Sequence, residues 1–194
     1  GMLHGFSAID GQEKISYIPE GIISRLPQLA NSSYTHQYYV DGSAFTGDIV
    51  VNSTSSDLAD RWRTMLVGSL GAGGKGYFVL DVTQPGSTVN NGYASNFSTT
   101  NAGSIVILDK TATTDADIGY IFSTPVVSDY NSQISTQIVK MNNDRWAVVM
   151  GNGINSTNER PVLLVQYLDG QKELVKITAA SSGTNASSNG LSAP

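Results

Sequence analysis

The sequence predicts an all-β fold assembled from propeller-type units, and three observations carry that prediction. Short runs rich in Val, Ile, Tyr and Phe, bounded by Gly, Asp and Asn, recur along the chain, as half-buried pleated strands require. Helical periodicity is confined to one short stretch. Two pairs of segments repeat with related spacings, the mark of a repeat architecture.

The runs that qualify as strands are residues 3–8, 14–18, 37–40, 47–51, 63–68, 76–82, 104–108, 136–141, 146–150, 161–168 and 173–178. The exception is residues 20–30, where Ile22, Ile23, Leu26, Leu29 and Ala30 form one apolar stripe at helical spacing. Pro19 and Glu20 suit a first turn, and Pro27 limits or kinks the segment. Residues 84–103 are almost wholly Ser, Thr, Asn and Gly and read as a long loop. Residues 1–178 are expected to be a portion of a propeller domain, with 179–194 a Ser/Asn/Gly-rich tail or inter-strand loop.

The repeat has two signatures. An apolar strand, an Asp-Gly turn and a second strand occur at Asp10-Gly11 and again at Asp169-Gly170; Asp-Gly is the pair that a tight hairpin with positive φ demands. Arg61-Trp62 and Arg145-Trp146 each open an apolar run that ends in glycine and continues into another strand. The two tryptophans lie 84 residues apart and the two Asp-Gly turns 159 apart, close to twice that. Ordinary blades run roughly 40–50 residues, so these are blades enlarged by loops. The expectation is a partial propeller of about two to four enlarged blades with one short helix near the N-terminus. A β-sandwich with coincidental hairpins is the alternative.

Composition excludes several functions. The chain of 194 residues carries a net charge of −5 with a pI near 4.8, so it lacks the Lys/Arg surplus that binds nucleic acid or anionic membranes. It contains no cysteine, which removes disulfides, thiolate metal sites and thiol nucleophiles. Its apolar runs, such as residues 161–165, are far shorter than the ~20 residues of a membrane helix, so no transmembrane segment is expected.

The residues that resemble chemistry have simpler readings. Gly71-Ala72-Gly73-Gly74-Lys75-Gly76 matches G-x-G-x-x-G, but a dinucleotide loop must open a helix. Here a β-branched and aromatic run, Tyr77-Phe78-Val79, follows. Lys75 precedes Gly and not Ser or Thr, so a Walker loop fails too. A turn between two blade strands is the expectation. His4 and His36 are the only histidines and have no local partners for catalysis or metal binding. Asp115 with Asp117, Asp57 with Asp60, and Asp129-Tyr130-Asn131-Ser132-Gln133 could offer oxygen ligands to calcium. The last copies only the opening of an EF-hand loop, with Ile134 at the glycine position and Lys140 at the bidentate glutamate. Exposed turn aspartates are the default. Asn31, Asn52, Asn96, Asn155 and Asn185 head N-x-S/T triplets that chance explains in so Asn- and Ser-rich a chain. Trp62 and Trp146 are expected as core anchors. No catalytic, cofactor-binding or metal residue is assigned.

In order along the chain, Gly1-Met2-Leu3-His4-Gly5-Phe6, Tyr34-Thr35-His36-Gln37-Tyr38-Tyr39-Val40-Asp41-Gly42-Ser43, the string from Val67 through Gly76, Asp117 to Val126, and Arg145-Trp146 to Gly151-Asn152-Gly153 resemble the C-terminal domain of the PilY/PilC family of type IV pilus assembly and tip-associated proteins. The resemblance covers most of residues 1–178. It implies a modified quinoprotein-like β-propeller, exported to the periplasm, outer-membrane surface or pilus tip of a Gram-negative bacterium. It further implies a non-enzymatic role with minor pilins and the pilus machinery in assembly, retraction control, twitching motility and adhesion to host or abiotic surfaces. The family's calcium loop is expected downstream of residues 145–153, and no residue here matches it, so no cofactor is assigned. The alternatives are a quinoprotein-type dehydrogenase propeller and a sugar-binding propeller.

Overall fold

The computed structural model describes residues 1–51, 56–86, 94–132, 134–179 and 190–192, with the backbone alone at Ala59 and Asp60. Ten strands are defined among them. The hairpin β1 (Leu3–Phe6) and β2 (Glu13–Tyr17) forms a two-stranded sheet. A four-stranded meander, here blade A, comprises β3 (Phe45–Val50), β4 (Trp62–Ser69), β5 (Gly76–Asp81) and β6 (Val106–Thr111). A second, blade B, comprises β7 (Ile138–Lys140), β8 (Trp146–Gly151), β9 (Val162–Tyr167) and β10 (Leu174–Thr178). All pairings are antiparallel between consecutive strands, the sheet of a propeller blade.

Both repeat signatures fall at equivalent places. Trp62 opens the second strand of blade A and Trp146 the second strand of blade B. The Asp169-Gly170 turn joins the third and fourth strands of blade B, and Asp10-Gly11 joins β1 to β2. Gly11 and Gly170 adopt φ of 69° and 56°, the left-handed region their turns require. The hairpin thus carries the same turn as the third and fourth strands of blade B. The corresponding connection in blade A is the stretch between β5 and β6, enlarged to span residues 82–105.

Period-2 alternation fixes what each face buries. On blade A, Ile49, Met65, Val67, Tyr77 and Val79 face blade B and meet Ile138, Val148, Met150, Val162 and Leu164, with Ile118 and Ile121 of the inter-blade linker between them. This is the main core. On the opposite face of blade A, Phe78 and Leu80 are fully buried. Tyr17 of the hairpin packs edge-on against Phe78 at 5.1 Å and donates from Oη to Asp109 Oδ2.

Local departures from expectation have physical causes. Residues 37–40 form no strand. Tyr39 packs with Ile22 and Leu70 in a separate small cluster, and its carbonyl lies so near Gly73 that a Cβ there would sit 1.7 Å from it. The stripe at 20–30 divides into an α-turn, Glu20–Ile23, and a 3-10 turn, Leu26–Ala30, with Pro27 in the first turn of the second, as the ring's loss of an N–H dictates. Further single helical turns form at Leu58–Arg61 and Ala102–Ile105, so residues 104–105 are helical and the strand begins at Val106. Of the 84–103 loop, residues 87–93 lie outside the described residues, as do 180–189 and 193–194 of the tail.

Candidate interaction surface

The Gly71–Gly76 string folds as a 3-10 turn, Gly71–Gly73, leading directly into β5. Glycine is required here by crowding, since residues 39–42 cross directly over Gly71 and Gly73. Nothing of a phosphate cradle at a helix N-terminus is formed.

Of the aspartates singled out for calcium, Asp115 and Asp117 are held by cations. Asp117 is fully buried. Its Oδ1 accepts from Asn158 Nδ2 at 2.7 Å and Arg160 Nε at 2.8 Å, and its Oδ2 from Arg160 Nη2 at 2.9 Å and Lys176 Nζ at 2.8 Å. Lys176 also reaches Asp115 Oδ1 at 3.0 Å. The Arg160 hydrogen bonds, reinforced by Lys176 and Asn158, hold the Asp117 carboxyl well below the usual carboxylate range despite burial. A carboxylate so saturated ties the inter-blade linker to the β8–β9 connection and to β10; it has no free lone pair for a metal and carries no proton at neutral pH. Asp129 is exposed at a bend whose neighbour Ser128 donates to the Ile134 carbonyl at 2.9 Å; Gln133 and the Asp60 side chain lie outside the described residues. Among the described residues, no three of His, Asp and Glu converge as a metal site requires.

His4 bonds Glu13 across the hairpin at 2.5 Å and stacks on Phe6 at 6.1 Å. His36 packs edge-on against Tyr38 at 5.3 Å on an exposed loop. Among the triplet asparagines, Asn31 Oδ1 accepts from Ser33 N at 2.9 Å in a local turn, and Asn96 Nδ2 donates to the Gln84 carbonyl at 3.1 Å. Asn155 takes φ of 57°, while Asn52 and Asn185 lie outside the described residues.

Two groups emerge that residue-by-residue reading of the sequence missed. The repeat marks Arg145 and Asp169 meet: Arg145 Nε donates to Asp169 Oδ1 at 2.9 Å and Trp146 N to Asp169 Oδ2 at 3.1 Å. Arg145 also pairs with Glu173 and lies 4.1 Å from the Tyr167 ring centroid. Asn152, between two glycines, is fully buried and fully used. Its Nδ2 donates to the Asp117 and Arg160 carbonyls at 2.8 and 2.9 Å, and its Oδ1 accepts from Val162 N and Leu191 N at 3.0 Å. Gly153 takes φ of 73° beside it. The signal for Asn152 was present in the Gly-Asn-Gly string.

Trp146 packs against the main core, as an anchor should. Trp62 does not: it is 42% exposed, which corrects the expectation of a core anchor. It stands on the face of blade A opposite the main core, with Thr64 and Leu66 only partly covered and Thr46 and Asp48 exposed. Beside the hairpin, a groove of about 430 Å3 runs between Ile15, Tyr17, Phe97 and Ile105. The tip of the 127–135 turn presents Tyr130 wholly exposed. Among the described residues, none of these surfaces brings a nucleophile together with a base.

Comparison with known proteins agrees with the fold. The model of the PilY1 beta-propeller domain matches residues 1–194. A type IV pilus biogenesis factor PilY1 homolog of Xylella fastidiosa is 36% identical over 179 residues, covering 92% of this chain and 10% of that protein. Type IV pilus biogenesis factor PilY1 of Pseudomonas aeruginosa is 33% identical over 197 residues, covering 100% of this chain and 14% of the relative. The crystal structure of the Pseudomonas aeruginosa PilY1 C-terminal domain superposes with a TM-score of 0.58 at 29% identity, covering 100% of this chain and 30% of that one. The chain therefore spans only a small part of these curated relatives, and with two four-stranded blades and a hairpin matched along its whole length it belongs to the PilY1 β-propeller domain family.

Proposed function

We propose that this chain is a non-enzymatic propeller module of a type IV pilus biogenesis factor. It is exported in a Gram-negative bacterium and acts at the outer membrane or pilus tip. The observation that carries the reading is the family match across the whole chain, reinforced by relatives that bear the name of pilus biogenesis factors. The site chemistry is consistent with it: Asp117, Arg145, Asn152 and Gln166 spend their polar atoms on holding segments of the fold together. Neither the quinoprotein nor the sugar-binding alternative gains a specific feature among the described residues.

In this reading the exposed loop aromatics, Tyr38 and Tyr130, together with the inter-strand loops, contact minor pilins and surfaces. They thereby serve pilus assembly, retraction control, twitching and adhesion. Aromatic side chains supply large contact area at low entropic cost, which suits them to interfaces. Deletion of the gene tests this directly. Surface pili and twitching should be lost and restored by complementation, and the full-length protein should co-purify with minor pilins. Normal pilus display after deletion, with no pilin recovered, overturns it.

A further inference from the structure

The groove of about 430 Å3 beside the hairpin is lined by every residue of β2, from Glu13 to Tyr17. Successive side chains of a strand point to opposite faces, so a groove that touches them all follows the strand's edge and not a face. It is the edge away from β1, because no β1 residue lines the groove. Among the described residues β2 pairs with β1 alone. The N–H and C=O of alternate β2 residues therefore point away from β1 with no ladder partner. The opposite wall is built from the turns Thr99–Asn101 and Ala102–Ile105, in the enlarged connection between β5 and β6. Thr99 and Ala102 are exposed there, and Phe97, Ile105 and Val106 are only partly buried. Apolar surface thus lies on both sides of the open edge. An unmatched edge beside such a cleft binds an extended peptide by strand addition, with main-chain hydrogen bonds for affinity and side-chain pockets for selection.

Charge around the edge selects the occupant. Asp10, Glu13, Glu20 and Asp109 lie on or beside β2, against the single lysine Lys14. Lys14 is already engaged, 3.8 Å from Asp10 and donating to Gln12 Oε1 at 3.1 Å. Glu13 is met from β1 by His4. At the Tyr17 end, Asp109 Oδ2 accepts from Tyr17 Oη at 2.5 Å and from Glu20 N at 2.7 Å. The next cations are turned elsewhere. Lys110 lies opposite Tyr77 on the other face of β6, and Arg25 donates to the Gly73 and Tyr38 carbonyls. An acidic edge favours a basic strand. It also disfavours a second copy of this edge, because like charges facing each other across a strand pair are destabilising.

We propose that the groove between β2 and the 97–106 segment docks an extended, lysine- or arginine-bearing segment of a partner protein, added as a strand to the open edge of β2. At about 3.4 Å per residue, β2 offers an edge about 17 Å long, matched by an added strand of about five residues. The added strand runs antiparallel to β2, as every strand pair among the described residues does. Its N-terminal end therefore lies at Tyr17, and its basic side chain sits there beside Asp109 and Glu20. Alternate side chains of the segment enter the cleft against Phe97 and Ile105, and the others face solvent. The site is separate from the exposed loop tyrosines, and strand binding is scored independently of pilus display.

Hydrogen exchange on the full-length gene product tests the site, with and without a blocked synthetic peptide that alternates Val and Thr and carries lysine near its N-terminus. At saturation the β2 amides that do not bond β1 should slow about tenfold, with the β1-bonded ones unchanged. Methylating the peptide nitrogens on its bonding edge should weaken binding about tenfold, the worth of one or two hydrogen bonds. Glutamate in place of the lysine should weaken it about fivefold, the order of an exposed ion pair. Ala102→Trp fills the groove from its exposed wall and should abolish protection, with the melting temperature within about 2 °C of the unaltered protein. Thr99→Arg guards against misfolding, because it should weaken the lysine peptide and tighten the glutamate peptide. Equal binding of the methylated peptide, or binding unchanged by both substitutions, overturns the proposal. So does an edge already protected in the full-length product that excludes the peptide, which would make the occupant part of the same chain. Protection that rises with protein concentration alone would make it a second copy and overturn the proposal equally.

Discussion

Blades A and B share strand order, pairing and side-chain parity, and they differ in what lies on the face toward the preceding blade. Blade B presents Trp146, Val148 and Met150 to a complete neighbouring sheet and buries Val148 and Met150. On the opposite face of blade A, Trp62 is exposed and Thr64 and Leu66 are partly open, while the hairpin's Tyr17 packs on Phe78. The difference shows that equivalent positions of two repeats take different burial when what packs on the strand differs.

Paired truncation exposes the difference most strongly. Trp146→Ala should destabilise the chain by about 3 kcal/mol, within the range for large aromatic deletions from a core. Trp62→Ala should cost about 1 kcal/mol or less, read as the difference in urea midpoints. Equal losses would erase the distinction between the faces.

The next effect concerns the latch joining linker to blade B. Asp117→Ala leaves Arg160 and Lys176 without their shared carboxylate and should cost about 3 kcal/mol at neutral pH, the order expected when one partner of a buried pair is removed. The same group predicts an acid limb. The folded-state pKa of Asp117 lies below its unfolded value, chiefly through Arg160. Its contribution is therefore fully present above the ordinary aspartate range, near 4, and is lost as pH falls from there toward the folded value. Urea midpoints between pH 7 and pH 3 should fall less steeply in Asp117→Asn than in the unaltered chain; parallel slopes would remove Asp117 from the account.

A smaller effect lies within the A–B interface. Tyr77 Oη, buried, donates to Gln166 Oε1 at 2.8 Å, and Gln166 Nε2 donates to the Lys172 carbonyl at 2.8 Å. Tyr77→Phe leaves one buried acceptor unmatched and should cost about 1 kcal/mol. Burial also raises the Tyr77 hydroxyl well above its ordinary range, so it stays protonated and donating through the alkaline range in which exposed tyrosines ionise. At the small end, Val175→Thr on the exposed face of β10 should change stability by under about 0.5 kcal/mol.

Much of this architecture was legible in the sequence. The spacing of Trp62 from Trp146 is the distance between equivalent strands, and the doubled spacing from Asp10 to Asp169 spans two blades. Alternation located β4, β5, β8 and β9 within a residue or two, because apolar period-2 runs bounded by glycine are hard to read otherwise. Residues 37–40 were misread as a strand because Tyr39 is apolar for a different reason: it seats on Ile22 and Leu70 and crosses Gly73. Single helical turns at 58–61 and 102–105 are too short for periodicity to register. The Asp117 latch was hidden because its partners lie 41 to 59 residues away, beyond the reach of local motifs. The exposure of Trp62 was equally unreadable, since it depends on what covers the strand and not on the strand itself.

The chain holds only two tryptophans, so Trp62→Phe and Trp146→Phe each leave a single reporter for the central comparison. Acrylamide quenching of their fluorescence reads the cover over each face directly. The protein retaining Trp146 should show a quenching constant less than half that of the protein retaining Trp62, at about the contrast expected between a core-packed and a half-exposed indole. Equal constants, or greater quenching of Trp146, would contradict the core packing of Trp146 and the exposure of Trp62.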